Sequence, residues 1–544
     1  MELVEIRDLD GPNLFALEPV IKLEVSIDSD EEVPVPRQQY IAEHTNLYVS
    51  SDPVQALVAL INGLHGQLKI PAPRVQTHDM DTANHISICF SWEHRARARA
   101  IARTAFELVA GERIERLSTH LISAIEAETD EDEPVGPTWV RDTERRIPAA
   151  AITGTNGKTT TTRLLAHILR SSGKRVGWSS SSGVYIEGEM VIDGDYTGHG
   201  GARRVLTDPE IDCAVLETAR GGILLRGLGY ESNDVSVFLN VSEDHLNLHG
   251  VEKLETLAWV KATVSRTTRP DGVAVLNADD PLVLAQLPHV RAEVILTTQH
   301  PDNPTVREHI DAGGRCVLLE SETIKLHNGG HECWIIPISE VPLTYGGMAR
   351  HMIENTLAAC AAAIGMGVDM SEIRSALKDF HPDSDHNAGR LNVFEIDDVT
   401  IVVDFAHNES GLSFLLDFGR QLVPSTSRLT AIIGTAGDRQ DSVFVRLGEV
   451  AGSFADQVLI KSNPNYLRGR SHEQTVGLME QGLAQVNASD RCGGIYLSEF
   501  DAAVAAVEHA QPGELIVVMC VEDYPKIVDH LDRRGARERK PASA

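Results

Sequence analysis

Residues 151–173 read AITGTNGKTTTTRLLAHILRSSG, an apolar run, a glycine-bounded turn and a helical pattern in immediate succession. That order leaves few folds open. A strand ending at Gly154, a turn through Thr155, Asn156 and Gly157, and a helix opening at Lys158, Thr159 and Thr160 together make the anion-holding connection of a parallel α/β sheet. The glycines let backbone N–H groups close on phosphate oxygens, and the helix N-terminus adds the positive end of its dipole. Lys158 adds a full charge, and the Thr159 hydroxyl can reach Mg²⁺. Leu164, Leu165, Ile168 and Leu169 give the helix an apolar stripe for the sheet, and Gly173 ends it. The generic spacing of such loops has a further glycine five places before Gly157, where this chain has Ile152.

Strand-length apolar runs alternate with helix-length segments on the C-terminal side of this loop. Residues 148–153, 213–217, 235–241 and 272–277 predict strands of one parallel sheet, and 400–404, 429–434, 458–461, 495–497 and 515–520 those of a second, doubly wound one. Before the loop, helical patterns at 53–64 and 95–110 surround a strand-like 85–92. The fold class expected is therefore α/β, with a small α+β N-terminal domain at 1–125, a P-loop-type central parallel-sheet domain at 147–388 and a Rossmann-like C-terminal domain at 389–544. Residues 126–146 open with EAETDEDEPVGP and read as a solvated acidic linker, because like charges repel and proline breaks regular structure. The basic end, RRGARERKPASA, reads as a frayed tail.

Charge excludes some partners. Lys plus Arg number 49 against 79 Asp plus Glu, a net charge of −30 that opposes an electrostatic grip on nucleic acid or an anionic membrane and mildly favours a cationic or zwitterionic substrate. The start, MELVEIRDLD, has neither a basic nor an apolar signal segment, and the longest apolar stretch, near 357–368, is too short to span a bilayer. A cytoplasmic location is expected. The seven cysteines have no CxxC pair or ligand-like spacing and read as buried thiols in a reducing compartment.

A phosphate ligand needs a cation, and strand ends offer its donors. Glu217 closes DCAVLE, and His245 follows VSVFLNVSED, so both stand at carboxyl ends of parallel strands, where such sheets bind ligands. The carboxylate suits Mg²⁺ better than the imidazole does. Asp244 and His249 are alternatives to His245.

The order of further motifs identifies a family. GTNGKTT, LETARGGIL, LNVSEDHLNLHG, the lysine of AWVKATV, LNADDP, HMIENTLAA, and GR followed by VVDFAHN resemble the Mur ligase superfamily of ATP-dependent amide-forming enzymes along nearly all of 147–544. Within it, SGVYIEGEMVIDGDYTG, ARRVLTDPEIDCAVLETARGGIL and IKSNPNYLRGR resemble the ligase half of cyanophycin synthetases, and RDLDGPNLF their N-terminal domain. Those enzymes carry an ATP-grasp domain between the two parts, where this chain has the acidic linker.

The resemblance implies roles. Gly154 to Thr160 would hold the phosphates of ATP, with Lys158 on the β- and γ-phosphates. Thr159 and Glu217 would hold one Mg²⁺ and His245 a second. Lys158, His245 and Lys261 would form the catalytic set, Lys261 matching a lysine that many Mur ligases carbamylate. Asn355 would contact adenine, and Arg390 and Asp404 would reach the nucleotide from the C-terminal domain, with His407 and Asn408 in the same loop and Glu409 where the family has proline. Without the resemblance, Lys261 reads as a solvated helix lysine, Asn355 as a helix residue bonding its own backbone, and Arg390 and Asp404 as surface residues. The reaction implied joins a small-molecule or peptide carboxylate to an amino acid, first a basic one onto an acidic side chain. Alternatives are a cell-wall or folylpolyglutamate-type ligase, or a non-catalytic nucleotide-binding partner of a separate ATP-grasp ligase. A homo-oligomer is expected, as is a hinge near HPDSDHNAG, just before Arg390.

Overall fold

The strand that feeds the phosphate loop, Ala149–Thr153, lies in the middle of an eleven-stranded sheet. The structure is a computed structural model and describes residues 1–243 and 246–541. Ala149–Thr153 is buried throughout and pairs in parallel with Asn233–Phe238 on one side and Cys213–Glu217 on the other. Beyond them the parallel order runs outward through Thr268–Asn277, Glu293–Thr298 and Arg315–Glu320, and on the other side to Val176–Ser180. Sequence-consecutive strands thus diverge to either side of Ala149–Thr153, and a crevice opens above such a switch point.

Both edges differ from the sequence expectation. Gly183–Ile186 and Glu189–Asp193 extend one edge as antiparallel strands, and Thr323–Asn328 and His331–Pro337 extend the other. Their outer strands are half exposed and carry polar residues, so they lack the unbroken apolar runs that mark a buried parallel strand.

Helix Lys158–Ser171 packs against Arg350–Gly365, which itself lies across the central strands. Alanines from Ala358 to Ala363, almost all fully buried, allow that close approach, and they are the apolar stretch too short to cross a membrane. Among the described residues no helix is long and apolar enough for that.

A second sheet follows in the order Cys492–Tyr496, Gln457–Lys461, Leu429–Ile433, Leu515–Met519, Val399–Asp404, Asn392–Ile396 and Arg537–Glu538, parallel up to Val399–Asp404 and antiparallel after it. Its last strand corrects the reading of the tail as frayed. Arg537–Glu538 pairs with Phe394 and Glu395, and Glu538 Oε1 accepts from both the backbone and the hydroxyl of Ser384 at 2.9 Å. Two backbone pairings and a half-buried acceptor offset the entropy of ordering this segment.

The N-terminal layer is a four-stranded antiparallel sheet, Glu2–Leu9, Val20–Ser26, His85–Ser91 and Val75–Asp79, backed by helices Pro53–Gln67 and Arg95–Ala110. The turn after Glu2–Leu9 docks it on the central sheet. Asp10 accepts from Arg226 Nε at 2.8 Å and from Thr138 Oγ1 at 2.7 Å, and a Cβ on Gly11 would overlap the Leu228 carbonyl. Trp259 Nε1 donates to Leu14 O at 3.0 Å, with the Arg266 guanidinium 3.8 Å over its ring. The acidic stretch is held to the same layer: Glu128 accepts from Arg99 and Arg103, and Glu133 from Arg95. Its charges are thus partly paired where repulsion alone was expected. Cys333 is exposed and Cys492 half-buried, unlike the other thiols, because both lie on edge strands.

Residues 381–390 connect the two large sheets and run beside helix Lys158–Ser171. His386 Nδ1 bonds Asp383 Oδ1 at 2.7 Å, and its ring meets that of His167 edge to face, centroids 5.6 Å apart. Burial, and then the neighbouring His386, push His167 down to about 4, while Asp383 draws His386 up. A histidine whose folded pKa lies below its unfolded value destabilises the fold as pH falls from about 6.5 towards 4, because the unfolded chain binds the extra proton. His386 acts in the opposite sense. We therefore expect His167→Gln to flatten the loss of stability across that window in urea titrations at stepped pH; parallel wild-type and variant curves would refute the assignment.

Candidate active site

The phosphate loop is shaped by two glycines and one asparagine. Gly154 and Gly157 have φ of +156° and +84°, and the second is in the left-handed region that favours glycine. A Cβ on Gly157 would also overlap Oδ1 of Asn355, so Asn355 lies directly behind the loop. Asn240, at the end of the neighbouring strand, holds the turn: its Oδ1 accepts from the backbone N–H groups of Thr155 and Asn156 at 3.1 and 2.9 Å, and its Nδ2 donates to Asn156 O at 3.3 Å. Lys158 Nζ donates to Thr155 O and Lys261 Nζ to Gly154 O, each at 2.7 Å. Lys261 is 4% exposed, so it is no solvated helix lysine.

Facing the loop, Glu217 ends its strand 3% exposed, with Oε1 accepting from Thr159 Oγ1 at 3.1 Å and Oε2 from the Ser181 N–H at 3.2 Å. Burial raises its carboxyl above the ordinary range, and Lys158 and Arg390 pull it partly back. Arg390, from the C-terminal side, donates to Thr159 Oγ1 and Ser181 Oγ, both at 3.1 Å, and its guanidinium lies 4.2 Å over the Phe405 ring. Desolvation lowers it to about 10 against the favourable field of Asp404. Asp404 Oδ2 accepts from the Leu391 N–H at 2.8 Å, which fixes the backbone next to Arg390. A second crossing lies beside this one: Asn408 Nδ2 donates to Asn156 Oδ1, and Asn156 Nδ2 to Ser410 Oγ, both at 3.1 Å. With Glu409 in place of the family's proline, Asn408 caps helix Glu409–Leu422, its Oδ1 accepting from the Gly411 N–H at 2.9 Å.

These groups converge on one cleft of about 1210 Å³ between the two large sheets. Thr155, Asn156, Gly157, Lys158, Thr159, Thr160, Glu217, Lys261, Asn355, Arg390, Asp404 and His407 line it. Gly154 lies behind the lining, its carbonyl engaged by Lys261. His245 and its alternative Asp244 lie outside the described residues, while His249 lines the cleft, its imidazole pushed down by burial.

Sequence reasoning missed Asn240, Ser181 and an acidic corner beside Asn355. There Asn277 Nδ2 donates to Glu354, and burial next to Asp279 raises Glu354 to about 7. Asn240 had a signal as a polar residue within the strand expected at 235–241, and Asn277, Asp279 and Glu354 lie in the quoted motifs LNADDP and HMIENTLAA, which carried no role for them. The donors around Glu217 are all oxygen: a buried carboxylate and the hydroxyls of Thr159 and Ser181, with further charge compensation required. That set fits a hard cation such as Mg²⁺.

The chain matches the Mur ligase middle domain over residues 152–363 and the Mur ligase, glutamate ligase domain over 389–520. It is 40% identical over 398 residues to a cyanophycin synthetase of Synechocystis sp., and 38% over 390 residues to one of Crocosphaera subtropica, in each case 72% of this chain and 44% of the relative. The chain thus spans less than half the length of these relatives. It is also 26% identical over 412 residues to the UDP-N-acetylmuramoyl-L-alanyl-D-glutamate–2,6-diaminopimelate ligase of Syntrophomonas wolfei, 72% of this chain and 78% of that one. Among solved structures, a bifunctional folylpolyglutamate synthase/dihydrofolate synthase with Mn, AMPPNP and L-glutamate bound shares the fold at a TM-score of 0.52 and 18% identity, over 71% of this chain and 89% of that one.

Gly157→Ala tests how tightly the loop is built. The added methyl strains a left-handed residue and displaces Asn355, so a loss of about 1–3 kcal/mol in unfolding free energy is expected. Binding of a fluorescent ATP analogue should fall at least tenfold, roughly the effect of losing 1.4 kcal/mol. Wild-type affinity in the variant would show that Asn355 and Gly157 do not share a ligand.

Proposed function

Because the chain belongs to the Mur ligase family, we propose that it is an ATP-dependent carbon–nitrogen ligase that activates a carboxylate as its acyl phosphate and joins it to the amine of an amino acid. The observation that carries this reading is the meeting, in one cleft, of a phosphate loop bearing Lys158 with a guanidinium and a carboxylate, Arg390 and Asp404, from the opposite sheet.

A carboxylate is a poor electrophile at neutral pH. Its oxygen attacks the γ-phosphorus, ADP leaves, and the resulting acyl phosphate offers phosphate as the leaving group when the amine attacks the carbonyl carbon. Lys158, the loop N–H groups and Arg390 oppose the charge on the transferring phosphoryl group. Mg²⁺, held by Thr159 and Glu217, would supply further charge neutralisation there. Lys261, in this reading, bears a carbamate that adds an anionic donor to the same pocket. Asn355 contacts the adenine, and Asp404 orients the segment carrying Arg390. Contacts from Arg390, Asn408 and Ser410 across the cleft exclude the water that would hydrolyse the acyl phosphate.

For substrates we propose an acidic side-chain carboxylate as acceptor and a basic amino acid as donor. Similarity to cyanophycin synthetases and the surplus of acidic residues support that choice. Only residues 128–148 separate the last helix of the N-terminal layer from the loop strand, too few for a second nucleotide-binding domain, so the reading assigns this segment of chain one kind of ligation.

Phosphate release from ATP should require a carboxylate and an amine together, and Lys158→Ala should abolish it in a protein of unchanged circular dichroism, because a loop lysine adds charge to the phosphates and little to packing. ATP turnover that ignores both substrates would overturn the proposal. Lys261→Ala should lose ligation and regain part of it with millimolar acetate or formate if the lysine acts as a carbamate. Failure of such rescue would refute the carbamate assignment.

A further inference from the structure

Arg163 stands one helical turn after Thr159 on the helix that opens at Lys158. Its guanidinium reaches two other elements. Nη1 donates to Ala388 O at 2.8 Å and to Asn387 Oδ1 at 3.4 Å, in the connector before Arg390, and Nη2 donates to Ser182 Oγ at 2.9 Å. Ser182 follows Ser181, whose hydroxyl accepts from Arg390. Arg163 therefore bonds both the chain that delivers Arg390 and the turn on which the Arg390 guanidinium rests.

We propose that Arg163 is the positioning residue for Arg390, a brace that holds the connector against the phosphate-loop helix so that Arg390 reaches the site. The backbone around Arg390 needs one. Gly389 and Leu391 have φ of +72° and +56°, and Leu391 is a fully buried non-glycine residue in the left-handed region. Such a conformation persists only where its surroundings over-determine it. The Asp404 carboxylate on the Leu391 N–H and the Asn392 side chain on the Gly389 N–H restrain one end, and Arg163 restrains the other.

Electrostatics points the same way. A second guanidinium next to Arg390 repels it, and burial disfavours the charge of Arg163 as well, a cost that Tyr185 and Glu217 offset in part. An apolar side chain would fill this position without either cost. What arginine adds is a set of fixed, forked donors that can serve two elements at once.

This inference rests on the ligase reading of the cleft for its kinetic arm and is independent of it in its structural arm. The variants are Arg163→Met, which keeps the apolar stem and removes the donors, Arg163→Lys, and Ser182→Ala, which removes one end of the brace. Hydrogen exchange should speed about tenfold or more in the peptide covering 384–392 of Arg163→Met and stay unchanged across the helix at 158–171. In phosphate-release assays kcat should fall about 10- to 100-fold, the scale of a misplaced reacting group, with affinity for a fluorescent ATP analogue within about threefold of wild type. Arg163→Lys should fall between, since an ammonium cannot span both partners.

In an Arg390→Ala background, Arg163→Met should cost less than about a further threefold, because residues acting through one another are not additive. Full multiplication of the two effects, or wild-type exchange in the connector, would overturn the proposal. Should Arg163→Met not fold, Ser182→Ala decides: because Ser182 Oγ also bonds Ser180 Oγ and Tyr185 OH, the deciding readout is the connector, where faster exchange at 384–392 with a reduced kcat supports the brace and unchanged exchange there refutes it. If the wild-type protein releases phosphate with no carboxylate and amine pair, the functional reading fails while the exchange measurements still judge the brace.

Discussion

A guanidinium carried by the second sheet bonds the hydroxyl that opens the phosphate-loop helix of the first, and the arrangement of both sheets serves that bridge between Arg390 and Thr159. For Arg390 to stand there, its chain must turn sharply at the end of the connector, which sets Gly389 and Leu391 at positive φ. The neighbouring strand must also start directly after it, and Asn392–Ile396 does. Thr159 in turn is fixed by the helix, the helix by the alanine-rich Arg350–Gly365, and the loop by Asn240. One hydrogen bond of 3.1 Å is individually modest in energy. Its significance is that each partner is held by several others, so the cleft is organised before a ligand enters it.

The N-terminal layer bears on the site from behind. Asp10 and Gly11 close on Arg226 and Leu228, at the end of the helix whose first residue, Arg220, lines the cleft. Asp81 accepts from the backbone N–H groups of Glu252 and Lys253, just before the helix that carries Lys261. Two short loops of the layer thus contact the elements that present Arg220 and Lys261. The motif RDLDGPNLF, which resembles the N-terminal domain of cyanophycin synthetases, supplies the first of these loops.

Much of this was legible in the sequence because local chemistry decides it. The strand–turn–helix at 151–173 leaves few folds open, and the longest apolar runs of both sheets stand out singly, whereas the largely buried strands Val176–Ser180, Glu293–Thr298 and Arg315–Glu320 did not. Of the residues named for the site, Thr155 to Thr160, Glu217, Lys261, Asn355, Arg390, Asp404 and His407 line one cleft, although Arg390 and Asp404 are more than two hundred positions from the loop they face. The edge hairpins were not legible, since half-exposed antiparallel strands alternate polar and apolar residues over too few positions. Nor was the ordering of Arg537–Glu538, a pairing with a distant strand that no local pattern encodes. Arg163 escaped for a related reason: a polar side chain that organises backbone elsewhere has no sequence mark of its own.

Glu217 and Arg390 also explain why the cleft should respond to what fills it. Burial holds the glutamate above its ordinary range and the arginine below its own, so each is less at ease in its charged form than in water. Their mutual attraction relieves part of this, and Lys158 and Asp404 relieve a further part. On the proposed reading, an entering polyphosphate would place anionic oxygens among Lys158, Arg390 and the loop N–H groups, and an accompanying cation would favour ionised Glu217. Both buried charges, which lie between the two sheets, would gain from the same event. On that reading, ligand binding would favour the arrangement that brings Arg390 to Thr159 by as much as that arrangement holds the anion better than any other.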